Sequence, residues 1–143
     1  MKSAINISSS ALETKLIASN FIKSLDNKNV NIFLSGDLGA GKTQFVKGIF
    51  EGLDYKNSPT SPTYDLVLSY KIGELLVNHL DLYRIEVLNL EDEIWINQIL
   101  SQECLNIVEW GNKFEFDNLL KPEYIIHISV IGENERKIEI FNN

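Results

Sequence analysis

The chain has 143 residues, enough for one domain whose hydrophobic core needs no metal or disulfide. Its composition, 44% hydrophobic and 23% charged, is typical of a soluble globular protein. The single cysteine, Cys104, excludes an internal disulfide and suits a reducing compartment. The formal net charge of −7 argues against tight, independent binding to nucleic acid, because surfaces that bind phosphate backbones are basic.

The ends and the hydropathy of the chain give no sign of a membrane protein. The N-terminus lacks the apolar core of a secretion signal, and no stretch approaches the roughly 18 consecutive apolar residues of a membrane span. We therefore predict one domain over residues 1–143, located in the cytoplasm.

The first predicted element is a helix over Ala11–Leu25. Ser10 and Glu13 match a capping box, a serine followed three residues later by glutamate. Apolar residues then recur at helical spacing, which predicts that they face the core: Leu12, Leu16, Ile17, Phe21, Ile22 and Leu25.

The next elements are a strand, a glycine-rich loop and a helix. The apolar run Val30–Leu34 predicts a strand that ends just before Gly36. Apolar residues at helical spacing then run from Phe45 to Leu53, with Gly52 near the end.

The remaining elements alternate between strands and one helix. A hairpin is predicted around a turn at Gly73, a helix follows with Leu90, Ile94, Trp95 and Ile99 inward, and another hairpin ends the chain. In chain order the predicted elements are strands Asp65–Tyr70 and Leu75–Leu80, helix Leu88–Leu100, and strands Leu105–Val108, Tyr124–Val130 and Arg136–Phe141. Helices interleaved with strands predict an α/β domain, and the hairpins make its central sheet mixed.

Residues Gly36–Thr43, with the sequence GDLGAGKT, satisfy every fixed position of the Walker A pattern. Its glycines let backbone N–H groups close around phosphate oxygens, and the following helix presents its N-terminus to an anion. Lys42 can reach the β- and γ-phosphates of ATP, and the Thr43 hydroxyl can ligate Mg²⁺. The alternative is a glycine turn that only caps a helix, with Lys42 solvated.

Two carboxylates are candidates for the magnesium site that a P-loop enzyme needs. Asp81 follows the apolar run Leu75–Leu80, and Glu109 follows Leu105–Val108. An acid after a strand is often only a turn residue. After a Walker A loop, at least one of the two is expected to face the phosphates, and the residues alone do not decide which.

Four separated motifs together resemble the bacterial TsaE (YjeE) family, the ATPase of tRNA threonylcarbamoyladenosine modification. The resemblance covers the chain from about Ser8 to Phe141. The motifs stand in the family's order: Gly36–Thr43, Ser61–Tyr64, His79–Arg84 and Val108–Trp110.

The resemblance implies a fold, a site and partners. The implied fold is a P-loop NTPase three-layer sandwich with a mixed central sheet, and the implied cofactors are ATP and Mg²⁺. By the resemblance, Lys42, Asp81 and Glu109 would be the catalytic residues, Thr43 and Glu109 would ligate magnesium, and Ser61–Tyr64 would be a switch-like loop near the γ-phosphate. The implied nucleotide contacts are Ser9, Asp37, Leu38, Gly39, Ala40, Gly41, Lys42, Thr43 and Trp110. The implied partners are the TsaD and TsaB proteins, with tRNA reached only through their complex.

Two positions depart from the family pattern. Gln44 stands where a second threonine is common, and Gly111 stands where a proline commonly follows the tryptophan. Neither position supplies a group that the chemistry requires.

Two other functions are compatible with a P-loop. A small-molecule kinase usually carries a lid with several arginines, whereas this chain has only Arg84 and Arg136. A binding module could use ATP as a structural ligand or switch without hydrolysis. Arg84 itself could stabilise transition-state charge, pair with a carboxylate or contact a partner protein.

The other singled-out residues are assigned structural roles. His79 and His127 lie within strand patterns, Trp95 is assigned to core packing on its helix, and Cys104 is treated as a small buried hydrophobe. The isolated chain is expected to be a monomer.

Overall fold

The computed structural model describes residues 2–57, 59, 66–110 and 117–143, which contain one seven-stranded sheet and three helices. The helices are α1 (Ala11–Ser24), α2 (Lys42–Gly52) and α3 (Leu90–Leu100). The strands are β1 (Lys2–Ser8), β2 (Asn31–Ser35), β3 (Val67–Ile72), β4 (Leu75–Asp81), β5 (Leu105–Trp110), β6 (Tyr124–Val130) and β7 (Arg136–Asn142).

The sheet is parallel in the centre and antiparallel at both edges. Its strand order is β1-β7-β6-β2-β5-β4-β3. β2 pairs in parallel with β5 and β6, and β4 pairs in parallel with β5. The pairs β1–β7, β6–β7 and β3–β4 are antiparallel. The predicted mixed α/β sheet is confirmed, and the ends of β2, β4 and β5 meet at one edge of it.

Helices cover the sheet on both faces and give three layers. Ile32 and Leu34 of β2 point to one face, where they pack with α1 and α2 in a buried cluster. Phe33 points to the other face and packs with α3. Successive side chains of a strand point to opposite faces, so the central strands are apolar on both sides.

The helix starts are fixed by local hydrogen bonds and, at α2, by glycine. Ser10 caps α1, because its hydroxyl accepts from the Glu13 N–H at 3.1 Å, as the capping box predicts. The reciprocal bond goes to the Ser9 N–H instead of the Ser10 N–H, at 2.8 Å. Gly41 caps α2 with φ of +108°, a conformation that side chains disfavour.

The predicted inward faces of α1 and α3 were partly wrong. Leu12 is 72% exposed, and Leu16 is also exposed. On α3, Leu90 is 71% exposed, and Ile94 is exposed as well. The helix spacing was right but the face was rotated, because the buried face is set by the neighbouring elements. Ile22 is buried, as predicted, and the other buried residues are Thr14, Ala18 and Ser19 on α1, and Ile96 and Leu100 on α3.

One strand was missed and several bounds shifted. β1 was not predicted, although Ile5 and Ile7 alternate with polar residues; both are exposed on an edge strand. α3 begins at Leu90 rather than Leu88, because Asn89 caps it in a capping box with Asp92. The predicted strand start at Asp65 lies outside the described residues. Within the described part of the chain, no helix is long and apolar enough to cross a membrane.

Candidate functional site

The Walker A residues form the connection between β2 and α2. Gly39 has φ of +81° and Gly41 has φ of +108°, so the backbone turns through conformations that favour glycine. The Asp37 carbonyl accepts from the Ala40 N–H at 2.9 Å, which closes the turn. The loop ends at the N-terminus of α2, where unpaired N–H groups and the helix dipole favour an anion.

Lys42 lies folded against its own loop. Its ammonium donates to the Gly36 carbonyl at 2.6 Å and to the Trp110 carbonyl at 3.5 Å. The same Nζ lies 5.3 Å from the centre of the Tyr83 ring, within the range of a cation–π contact. Carbonyls and an aromatic face therefore hold this charge at the mouth of the loop.

Asp81 and Glu109 lie side by side at the ends of adjacent parallel strands. Strand pairing brings the two residues opposite each other, and both line the cavity that also contains Lys42. The two carboxylates that the sequence left as alternatives therefore belong to one site.

The environment of Asp81 favours its neutral form. Burial raises the pKa of the Asp81 carboxyl above its ordinary value of 3.8, and repulsion from Glu109 adds to the rise. The Tyr83 N–H donates to Asp81 Oδ1 at 3.0 Å and, with His79 and Lys42, partly opposes that rise in pKa. The same hydrogen bond sets the turn that places Tyr83 after β4.

The Glu109 carboxylate is hydrogen-bonded to a buried histidine. It is 6% exposed, and its Oε2 is hydrogen-bonded to Nε2 of His79, which is 3% exposed. Nδ1 of His79 is buried and has no hydrogen-bond partner among the described residues. His79 therefore fixes one oxygen of Glu109. The sequence assigned His79 a structural role only. It could not reveal the contact with Glu109, because the two residues lie on different strands.

A cavity of about 690 Å³ opens above these residues. Its described lining comes from the first turn of α1, the Walker A loop with the start of α2, the ends of β4 and β5, and the β6–β7 hairpin. The lining residues are Ser10, Ala11, Thr14, Leu38, Gly39, Gly41, Lys42, Thr43, Gln44, Asp81, Tyr83, Arg84, Glu109, Asn134 and Arg136.

Four of the predicted nucleotide contacts are not among those lining residues. Ser9 lies just before α1, with its N–H bonded to Glu13, while the neighbouring Ser10 lines the cavity. Ala40 is buried behind the loop, and Asp37 is exposed on it. Trp110 packs edge-on against Phe33, with ring centres 5.7 Å apart, and its carbonyl accepts from Lys42 at 3.5 Å. The predicted switch-like loop Ser61–Tyr64 and the departure at Gly111 lie outside the described residues.

The other assigned residues lie away from the cavity lining. His127 bonds Ser35 at 2.6 Å, across the β2–β6 pair. Trp95 is partly buried against the α3 side of the core. Cys104 is buried, as predicted, and burial raises the pKa of its thiol.

Arg136 is a site residue that the sequence did not single out. It stands at the start of β7, and its guanidinium reaches the carbonyls of the Walker A loop, with Nε 3.0 Å from Ala40 O. The two residues are 96 positions apart in sequence. No local motif links them, so only the strand order reveals the contact.

The side chains present fit a magnesium ion that also has phosphate ligands. Within the described residues, no group of three or more His, Cys, Asp or Glu could hold a metal by itself. The Thr43 hydroxyl is exposed at the start of α2, and His79 engages only one of the two Glu109 oxygens. A hydroxyl and a carboxylate are oxygen donors of the kind Mg²⁺ takes together with phosphates and water.

Comparison with known proteins gives a consistent result. The family model for the threonylcarbamoyl adenosine biosynthesis protein TsaE matches residues 8–139. A Haemophilus influenzae protein named tRNA threonylcarbamoyladenosine biosynthesis protein TsaE is 32% identical over 88% of this chain and 78% of its own length. A protein of the same name from Rickettsia felis is 34% identical over 92% of this chain and 75% of its own length.

A solved structure has the same fold. The crystal structure of YdiB from Bacillus subtilis superposes with a TM-score of 0.75 and 29% identity, over 99% of this chain and 86% of that one. The likeness confirms the predicted P-loop sandwich with a mixed sheet, and the family match confirms the resemblance found in the four motifs. The chain therefore belongs to the TsaE family of tRNA threonylcarbamoyladenosine biosynthesis proteins.

Proposed function

We propose that this protein binds ATP with Mg²⁺ and hydrolyses it, as an accessory ATPase of tRNA threonylcarbamoyl modification in the cytoplasm. The observation that carries the proposal is the convergence of Lys42, Asp81 and Glu109 on the cavity above the Walker A loop. A helix cap with a solvated lysine would not need two carboxylates at this position.

The loop and Lys42 would bind the phosphates. The N–H groups of a Walker A loop surround phosphate oxygens, and the α2 dipole adds to the attraction. Lys42 now donates to the Gly36 carbonyl, and its flexible side chain can exchange that partner for a β- or γ-phosphate oxygen. Binding therefore replaces a carbonyl by an anion at the same ammonium.

The carboxylates would serve the metal and the attacking water. Thr43 and Glu109 would hold Mg²⁺, which when bound neutralises charge on the transferring phosphoryl group. His79 keeps Glu109 in place through the buried hydrogen bond. Asp81 lies beside Glu109, with a raised pKa, and would position water or accept its proton.

The charge of the chain supports protein partners rather than direct RNA binding. A chain with a net charge of −7 can neutralise a phosphate backbone only where its basic residues cluster. We propose that TsaD and TsaB are those partners and that tRNA is reached only through the complex. Leu38, which is exposed on the Walker A loop and lines the cavity, would suit a protein contact there.

The site test is phosphate release from ATP by the purified chain, alone and with TsaD and TsaB. Lys42→Ala should abolish nucleotide binding or weaken it severely. Lys47→Ala, which removes a lysine from the same helix outside the cavity lining, is the matched control. Equal ATP affinity in the wild type and a folded Lys42→Ala protein would contradict the phosphate-binding role of the loop.

Product analysis separates the remaining functions. Free phosphate supports the ATPase, a phosphorylated small molecule supports a kinase, and neither product with tight binding supports a nucleotide-dependent binding module. For the partners, ATP-dependent co-purification with TsaD and TsaB is expected. For RNA, a sub-micromolar tRNA dissociation constant of the isolated chain at roughly 150 mM salt would contradict the indirect route.

A further inference from the structure

We propose that Arg136 is a positioning residue that holds the Walker A loop open for phosphate, from the start of β7 at the same edge of the sheet as the loop. Its guanidinium Nε donates to the Ala40 carbonyl at 3.0 Å, and a terminal nitrogen lies 3.5 Å from the Gly39 carbonyl. Both carbonyls belong to the loop, directly before the Gly41 cap of α2.

The same side chain is anchored in its own hairpin. Its other terminal nitrogen donates to the Glu135 carbonyl at 3.1 Å and lies 3.4 Å from the Gly132 carbonyl. Within the described residues, all four hydrogen bonds of Arg136 therefore end on backbone carbonyls. The planar guanidinium suits this arrangement, because its donors lie in a fixed fork.

The position of β7 explains how a distant residue reaches the loop. Strand pairing places Arg136 opposite Val130 of β6 and Ser8 of β1. Ser8 is buried and bonded to Thr14 of α1, and both Thr14 and Arg136 stand at the rim of the cavity. The β6–β7 hairpin thus forms the wall of the cavity opposite the carboxylates.

The effect on the loop follows from the geometry of an anion nest. When successive N–H groups point towards a phosphate, the carbonyls of the same peptides point away and need donors. Arg136 supplies such a donor to the Ala40 carbonyl, whose peptide carries the Gly41 N–H, and its bond to the Gly39 carbonyl supports the turn that the Ala40 N–H closes on Asp37. The Gly41 N–H is then oriented before the anion arrives, so less conformational entropy is lost on binding.

This inference rests on the proposed phosphate-binding function, and the probe is chosen to separate the two. Inorganic triphosphate carries the charges of ATP without base or ribose. We would measure its affinity, and that of ATP, for the wild type, Arg136→Met, Arg136→Lys and Lys42→Ala by calorimetry. Lys137→Met is the matched control, because Lys137 is the next residue of β7 but pairs with Glu139 at 3.4 Å.

Arg136→Met should weaken triphosphate and ATP by a similar factor, about tenfold or more, since charged hydrogen bonds are lost. Arg136→Lys should recover only part of that loss, because one ammonium cannot span the loop and the hairpin as the fork does. Lys137→Met should bind both ligands as the wild type does. Arg136→Lys also keeps the test valid if Arg136→Met does not fold.

Three results would overturn the proposal. Loss of ATP affinity with unchanged triphosphate affinity would mean that Arg136 contacts the base or ribose. Full affinity in Arg136→Lys would mean that only the charge matters, and full affinity in Arg136→Met would mean that the contact has no role. The proposed function fails separately, and takes this inference with it, if Lys42→Ala binds triphosphate as well as the wild type.

Discussion

Replacement of Gly48 by alanine tests how closely α1 and α2 approach. A Cβ built at Gly48 would lie 2.3 Å from the Lys15 carbonyl oxygen and 2.7 Å from the Ala18 Cβ. Ordinary van der Waals contact begins near 3.4 Å, so the two helices would have to separate by about 1 Å. The nearest atom is backbone, which cannot turn aside as a flexible side chain can.

The expected magnitude combines two opposing effects. Overpacking a well-packed core costs about 1–3 kcal/mol, and a contact this short against backbone belongs at the upper end. Alanine in place of glycine within a helix returns about 1 kcal/mol. The free energy of unfolding should therefore fall by about 2 kcal/mol, which corresponds to a drop in Tm of roughly 5–10 °C.

Urea and thermal unfolding measure this change, with Gly132→Ala as the matched control. A Cβ at Gly132 would meet its nearest atom, the Glu135 Cβ, at 3.4 Å. The control should change stability by less than about 1 kcal/mol. The double variant Ala18→Gly/Gly48→Ala should recover only part of the loss, because the Lys15 carbonyl remains. Unchanged or higher stability of Gly48→Ala would refute the close approach of α1 and α2 at this position.

Three further predictions concern the cavity and the strand ends beside it. Burial raises the pKa of Asp81 above 3.8, so between pH 3.8 and that raised pKa the folded state binds more protons than the unfolded state. The free energy of unfolding therefore falls as pH rises through this range. Asp81→Asn should remove this slope and leave the protein at least as stable at pH 7, as urea unfolding at pH 4 and 7 would measure; an unchanged slope would contradict the assignment. His79→Ala should raise the Mg²⁺ concentration needed for half-maximal hydrolysis but leave Mg²⁺-free nucleotide affinity unaltered, since it releases Glu109; an unaltered Mg²⁺ requirement would exclude the positioning role. Trp110 fluorescence should respond to ATP or ADP, and the response should vanish in Trp110→Phe but persist in Trp95→Phe; the reverse would place the signal on α3.

Much of the fold and the centre of the site could be predicted from the sequence. The Walker A loop was found because its chemistry requires fixed residues at adjacent positions. The strands that carry Asp81 and Glu109 were found because buried strands are largely apolar on both faces. Strand β6, Tyr124–Val130, was predicted with the bounds that the structure gives.

Helix faces and the edge strand were harder, because periodicity gives spacing but not partners. The apolar residues Leu12 and Leu16 recur at helical spacing, yet both are exposed, while the polar Thr14 is buried against Ser8. β1 is an edge strand whose Ile5 and Ile7 are exposed. It therefore lacks the continuous apolar run by which the inner strands were recognised.

Local chemistry in this chain was determined by the sequence, whereas contacts between distant elements were decided by the tertiary structure. The phosphate loop, its lysine and the two candidate carboxylates follow from residue types next to one another or at strand ends. The bond from His79 to Glu109 depends on which strands are neighbours in the sheet. The bond from Arg136 to Ala40 depends on the return of the last strand beside the first. In both contacts the packing of the sheet brings a donor to an acceptor that is distant in sequence. The linear pattern of residues therefore does not predict them.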